Sequence, residues 1–267
     1  MYLGYFGAKG MDPFGLDVES KVKLFVAPSA EDDTITEKPV NPRPGDKEAT
    51  MTLSQEVSKY NTNVDNFVIE LEKIIKRNEK LKVAGLPEVK TKFNEAELTP
   101  TQLISKLKEL KITLIRLSGG TDEAVIKDLA DNLLKAKADD IVLFQAHTLT
   151  NEETGEGDIR LGTDPQHAIP FDEFNKKLGD RLKTGEMKKI ASFQFNTCIM
   201  KKYHAKKLFD TIGASEVNYS KSLAQMSLPF LRILGMKEDL EPNTIKFAFT
   251  FGNGKVIFER YPETPKK

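Results

Sequence analysis

From residue 52 the apolar positions recur at spacings of three and four. Val57, Tyr60, Val64, Phe67, Val68, Leu71, Ile74 and Ile75 mark one face of a helix running to about Lys82. A second helix begins at Thr99-Pro100, a cap followed by proline at the first helical position, and presents Leu103, Ile104, Leu107 and Leu110. The period then shortens. Ile112-Thr113-Leu114-Ile115-Arg116-Leu117 reads as a strand ended by Ser118-Gly119-Gly120, and Thr121 caps a helix carrying Val125, Leu129, Leu133 and Leu134. Ile141-Val142-Leu143-Phe144 is a near-continuous apolar run, the pattern of a strand buried on both faces. A short strand follows at residues 158–161, then a helix with Phe171, Phe174, Leu178 and Leu182. Residues 190–195 form the next strand, ahead of a helix with Tyr203, Leu208 and Ile212 that stops at Gly213.

Residues 216–219 complete the strand candidates before an apolar helix over 223–234, which Pro229 bends. Residues 245–251 and 255–261 flank Gly252-Asn253-Gly254 and predict a closing hairpin that adds an antiparallel edge. Strands alternating with helices imply right-handed crossovers. The expected fold class is therefore α/β: a mainly parallel sheet with flanking helices and a C-terminal β-hairpin, preceded by a helical segment. Residues 1–50 differ. Glycine and proline punctuate residues 1–16, and Pro28, Pro39, Pro42 and Pro44 sit among charges, which reads as little core. The expected divisions are a stub at 1–16, a disordered linker at 17–51, a helical segment at 52–110 and an α/β domain at 111–267.

The 267 residues carry 40 basic and 40 acidic side chains, a balance that offers no general field for nucleic acid or acidic membranes. No apolar run approaches the roughly 20 residues that cross a bilayer, and residues 1–10 lack the apolar stretch of a secretory signal. The expectation is a soluble chain, cytoplasmic or delivered elsewhere as an effector. The single cysteine excludes an internal disulfide and an all-cysteine metal site.

Reactive groups in an open parallel sheet collect beyond the carboxyl ends of its strands. His147 follows the strand at 141–144 within three residues, and Cys198 follows the strand at 190–195 by the same margin. Neighbouring strands would bring both to one rim. A helix after Cys198 would favour its thiolate, and a nearby imidazole would supply the base that acyl transfer requires. The plainer alternative is a small buried Cys198 and a hydrogen-bonded His147 at a strand end. His204 lies six residues beyond Cys198, about 240° round a helix, and reads as a solvated position. His167, in the Asp164-Pro165 loop, has no obvious partner. CxxC, HExxH, GxSxG and phosphate-loop signatures are absent. Ser118-Gly119-Gly120-Thr121 reads as a tight connection, and the acidic positions of residues 151–158 fit no coordination loop.

The order of features over residues 141–218 resembles the caspase-like fold of clan CD cysteine peptidases, which includes caspases, gingipains and CHAT-type domains. The matching segments are Ile141-Val142-Leu143-Phe144-Gln145-Ala146-His147 and Ile190-Ala191-Ser192-Phe193-Gln194-Phe195-Asn196-Thr197-Cys198. Gly157-Asp158-Ile159-Arg160-Leu161-Gly162 and Ile169-Pro170-Phe171-Asp172-Glu173-Phe174 fit the intervening strand and helix start. The likeness is one of pattern over residues 111–219. It implies Cys198 as nucleophile and His147 as general base, with backbone N–H groups of Thr148 and Cys198 facing the oxyanion. It implies a polypeptide substrate and no metal or organic cofactor. Thr148 stands where family members have glycine, which favours the alternative of an inactive caspase-like binding module. A nuclease effector is disfavoured by the lack of a basic cluster.

Met11-Asp12-Pro13-Phe14-Gly15-Leu16 resembles the DPxGL junction that closes the core of Rhs/YD-repeat proteins, after which a variable effector domain follows. That resemblance implies a toxin-type effector whose partners include a parent Rhs shell or an immunity protein.

Overall fold

The computed structural model describes residues 19–31, 34–37, 49–94, 96–150, 157–183, 190–221, 230–234, 243–250 and 258–263. In chain order its strands and helices are β1 (Val22–Val26), β2 (Thr34–Glu37), β3 (Ala49–Thr52), α1 (Leu53–Val83), β4 (Lys90–Phe93), β5 (Ala96–Leu98), α2 (Pro100–Glu109) and β6 (Ile112–Arg116). The second half holds α3 (Asp122–Lys135), β7 (Ile141–Gln145), β8 (His147–Thr150), β9 (Gly157–Arg160), α4 (Phe171–Leu182), β10 (Ser192–Asn196), α5 (Lys202–Ile212), β11 (Val217–Tyr219), β12 (Phe230–Leu234), β13 (Thr244–Thr250) and β14 (Glu259–Tyr261).

The central sheet runs β14-β11-β10-β7-β1-β6, with every pairing parallel except that of β11 with β14. This is the mainly parallel α/β arrangement that the alternation of strands and helices implies. Both faces of the sheet are covered, as parallel sheets require. On one face Phe25, Val142, Phe144, Phe193, Phe195 and Val217 pack with the apolar stripes of α3, α4 and α5. On the other, Val22, Leu24, Val26 and Leu143 meet Val57, Val64 and Leu71 of α1 and Leu103, Ile104 and Leu107 of α2.

Capping fixes where the helices begin. Thr52 with Gln55 and Thr99 with Gln102 form reciprocal boxes at α1 and α2, and the Thr121 hydroxyl accepts from the Ala124 N–H at α3. The Asn61 carboxamide bonds both the N–H (2.8 Å) and the C=O (3.0 Å) of Ile112, fastening α1 to β6. Beneath β1, Lys23 pairs with Asp140 at 2.8 Å. Asp140 is 1% exposed and also accepts the Lys137 N–H.

Four expectations change. Residues 22–26, assigned by composition to a linker over 17–51, form the strand between β6 and β7, with Val22, Leu24 and Phe25 fully buried. The helical segment at 52–110 is part of the same core, because α1 and α2 cover that strand. The closing hairpin also differs. Residues 230–234, expected within a helix, are the strand β12, and its antiparallel partner is β13. β13 continues in parallel to β4, giving a second sheet ordered β12-β13-β4-β5 that sets Phe247 edge-on to Phe67 of α1 at 5.9 Å. β14 pairs instead with β11, supplying the expected antiparallel edge. There the Tyr219 hydroxyl donates to Glu259 at 2.7 Å, and Lys221 pairs with the same carboxylate at 2.6 Å. Lys221 and Tyr219 together hold the Glu259 carboxyl below its ordinary range. Residues 223–229, the Gly252-Asn253-Gly254 turn and the Asp12-Pro13-Phe14-Gly15-Leu16 motif lie outside the described residues.

No helix of the described residues is long and apolar enough to cross a membrane.

Candidate functional site

β7 and β10 are neighbours, and their last register pair is Gln145 with Asn196. His147 and Cys198 each lie two residues beyond that pair. The two segments therefore leave the sheet at the same level and on the same rim. Ala146 belongs to the core under α3–α5; beyond it His147 opens a new strand, and Cys198 lies in a bend past β10. Both are half-buried. Three residues before each, the rings of Phe144 and Phe195 pack at a tilt, 5.4 Å between centres.

After β7 the chain does not enter a plain loop. His147 opens a two-stranded ribbon in which β8 and β9 run antiparallel, with His147 opposite Arg160 and Thr148 opposite Ile159. The ribbon rests on the turn that holds the cysteine. A Cβ added to Gly157 would stand 3.0 Å from the Cys198 carbonyl oxygen and 3.1 Å from the Thr148 Cβ. Glycine is needed there because two backbones and a threonine side chain converge. The Thr148 side chain thus packs against Gly157, while His147 sits across the ribbon from Arg160.

The turn itself is strained. Ile199 has φ 56°, a left-handed conformation that a β-branched residue adopts at a cost of about 1–3 kcal/mol. Beside the cysteine, the Thr197 hydroxyl is buried and makes no hydrogen bond. The Met200 N–H donates to the Ser220 carbonyl at 2.9 Å, tying the far end of the turn to the end of β11. The expectation that the thiol lies at a helix start is corrected here. α5 begins only at Lys202, so Ile199 and Met200 stand between Cys198 and the helix cap at Lys201.

No protein-family model and no curated protein matches this chain.

The remaining histidines have structural partners. His204, expected on a solvated face, is 2% exposed. Its ring lies 4.3 Å from that of Phe171 and 3.9 Å from that of Tyr203, and its Nδ1 accepts the Lys201 N–H at 3.2 Å. The imidazole therefore caps α5 from inside. His167 has the partner that the sequence did not reveal, since its Nε2 meets the buried Asp122 carboxylate at 2.5 Å at the start of α3. Ser118-Gly119-Gly120-Thr121 is a tight connection. The Ser118 N–H and hydroxyl both bond Asp128, and a Cβ on Gly119 would meet the Ala124 Cβ at 2.5 Å.

Sequence reasoning missed two groups at the rim. One is the polar set Gln145, Gln194 and Asn196, all buried, in which the Gln194 amide donates to Asn196 Oδ1 at 2.6 Å. Glutamine and asparagine alternating with phenylalanine in β10 were the available signal. The other is Ser29, hidden in the supposed linker. Among the described residues no three His, Cys, Asp or Glu side chains gather into a metal-holding cluster. A groove of about 730 Å³ lies elsewhere, between the C-terminal halves of α4 and α5, lined by Asn175, Gly179, Phe209 and Ile212. It includes neither His147 nor Cys198, and chemistry outweighs size in locating the candidate site.

Proposed function

We propose that this chain is a caspase-like cysteine endopeptidase-type effector in which Cys198 is the nucleophile and His147 the general base. The observation that supports the reading is the common exit of the two residues from adjacent parallel strands, each two positions past the Gln145–Asn196 pair. A thiol needs a base within reach to attack a carbonyl at neutral pH. In the proposed reaction His147 accepts the Cys198 proton as Sγ bonds to the peptide carbonyl carbon. The resulting oxyanion is met by backbone N–H groups of Thr148 and Cys198. Collapse breaks the C–N bond, the proton passes from His147 to the departing amine, and a thioester remains on Cys198. Water, activated by the same imidazole, then releases the acid. Gly157 pressing the ribbon against the Cys198 carbonyl supports a rigid crevice for these steps.

A second reading is an inactive binding module of the same fold. It is favoured by Thr148, whose side chain fills space beside the Cys198 turn. The Rhs-type origin rests on the resemblance of residues 11–16, and the partners it implies are a parent shell and an immunity protein.

The test is turnover. The chain is incubated with a denatured proteome digest, and new N-termini are read by mass spectrometry. The peptidase reading expects recurrent new termini that vanish in Cys198→Ala. Identical termini patterns for the two chains, or none from either, would leave the binding module. Growth arrest on intracellular expression, relieved by the same substitution, tests the effector role.

A further inference from the structure

We propose that Ser29 is a positioning residue for His147, an inference that rests on the peptidase reading above. Ser29 follows β1 in the short turn Pro28–Ala30. Its hydroxyl accepts the His147 N–H at 3.3 Å and donates to the Arg160 carbonyl at 2.6 Å. Its own N–H donates to the Leu161 carbonyl at 3.0 Å, and its carbonyl accepts Nη2 of Arg160 at 3.1 Å. His147 and Arg160 are register partners across the ribbon. One residue in the turn after β1 therefore grips both strands of the ribbon at the rung that carries the imidazole.

Physical necessity gives the contact its weight. A two-stranded ribbon is marginal by itself, so its orientation depends on what pins it. Gly157 against the Cys198 carbonyl fixes one end, and Ser29 fixes the other. The hydroxyl serves because it donates and accepts at once, completing the two backbone groups of the His147–Arg160 rung. Alanine at this position would leave both groups without that partner, and the rung would tilt. Displacements of about 1 Å at a reacting group lower rates by up to about 100-fold. Ser29 touches no substrate and acts through His147.

The experiment follows acylation of Cys198 by a peptidyl p-nitrophenyl ester, which releases nitrophenolate, separating the acylation rate from probe affinity. Ser29→Ala should lower the acylation rate by about 30- to 100-fold with affinity little changed. At equal volume, Ser29→Thr should stay near the parent rate and Ser29→Val should fall with alanine, so the comparison survives if one variant folds poorly. In a His147→Ala background, Ser29→Ala should bring no further loss, because residues acting as a unit are not additive. If His147→Ala slows acylation and the Ser29 variants do not, the positioning role is overturned and the peptidase reading stands. If Ser29→Ala slows acylation equally with and without His147, its role is structural and the inference fails. If His147→Ala leaves acylation unchanged, the peptidase reading fails first.

Discussion

A chain lacking residues 19–31 is expected not to fold. Those residues hold β1, which joins β7 to the edge strand β6. Its Val22, Leu24, Phe25 and Val26 are between 0% and 2% exposed. Full burial of such side chains contributes about 1.5–3 kcal/mol each, so the four supply roughly 6–12 kcal/mol. A whole domain retains about 5–15 kcal/mol of net stability. Removing β1 also takes away the ladder that β6 makes in this sheet and one of the two of β7, and it uncovers the apolar faces of α1 and α2. Circular dichroism with urea titration should show no cooperative transition in the truncated chain. A transition near that of the full chain would mean that residues 22–26 are dispensable.

Phe195→Ala is expected to cost about 3–5 kcal/mol, the usual range for emptying a buried aromatic site. Phe195 is fully buried three residues before the cysteine. Its ring packs within 5.4–6.2 Å of Phe144, Phe171, Phe174 and Phe193, joining β7, α4 and β10 in one cluster. Aromatic partners on several sides leave little room to collapse into the void. Phe195→Leu retains most of the volume and should lose less than half as much. Denaturant midpoints at constant slope read the difference. Equal midpoints for Phe195→Ala and the parent would contradict the packing described.

Much of this architecture is legible in the chain. The stripe from Val57 to Ile75 marks α1, Thr99-Pro100 and Thr121 mark helix starts, and Ile141-Val142-Leu143-Phe144 marks a doubly covered strand, because period and capping are local signals. β1 carries the same kind of signal in Val22-Lys23-Leu24-Phe25-Val26, but nearby prolines and charges dominated the composition of the segment. Pairing is not local. Residues 244–250 and 259–261 look like two arms of one hairpin, yet they belong to different sheets because β4 and β11 offer better partners. At the rim, the positions of His147 and Cys198 past two strands could be read from spacing. The ribbon, the strained Ile199 and the hydroxyl of Ser29 could not, since each depends on contacts between distant parts of the chain. The partners of His167 and His204 were hidden for the same reason.

The proposed chemistry stands on one thiol and one imidazole working together at the ends of β7 and β10. The most direct measurement is the rate of Cys198 acylation by a peptidyl probe from pH 5 to 9, in the parent chain and in His147→Ala. General-base assistance contributes typically about 10²–10⁴-fold, so the variant should fall by that much near pH 7 and recover only as alkali ionises the thiol unaided. Superimposable profiles would show that His147 takes no part in activating Cys198.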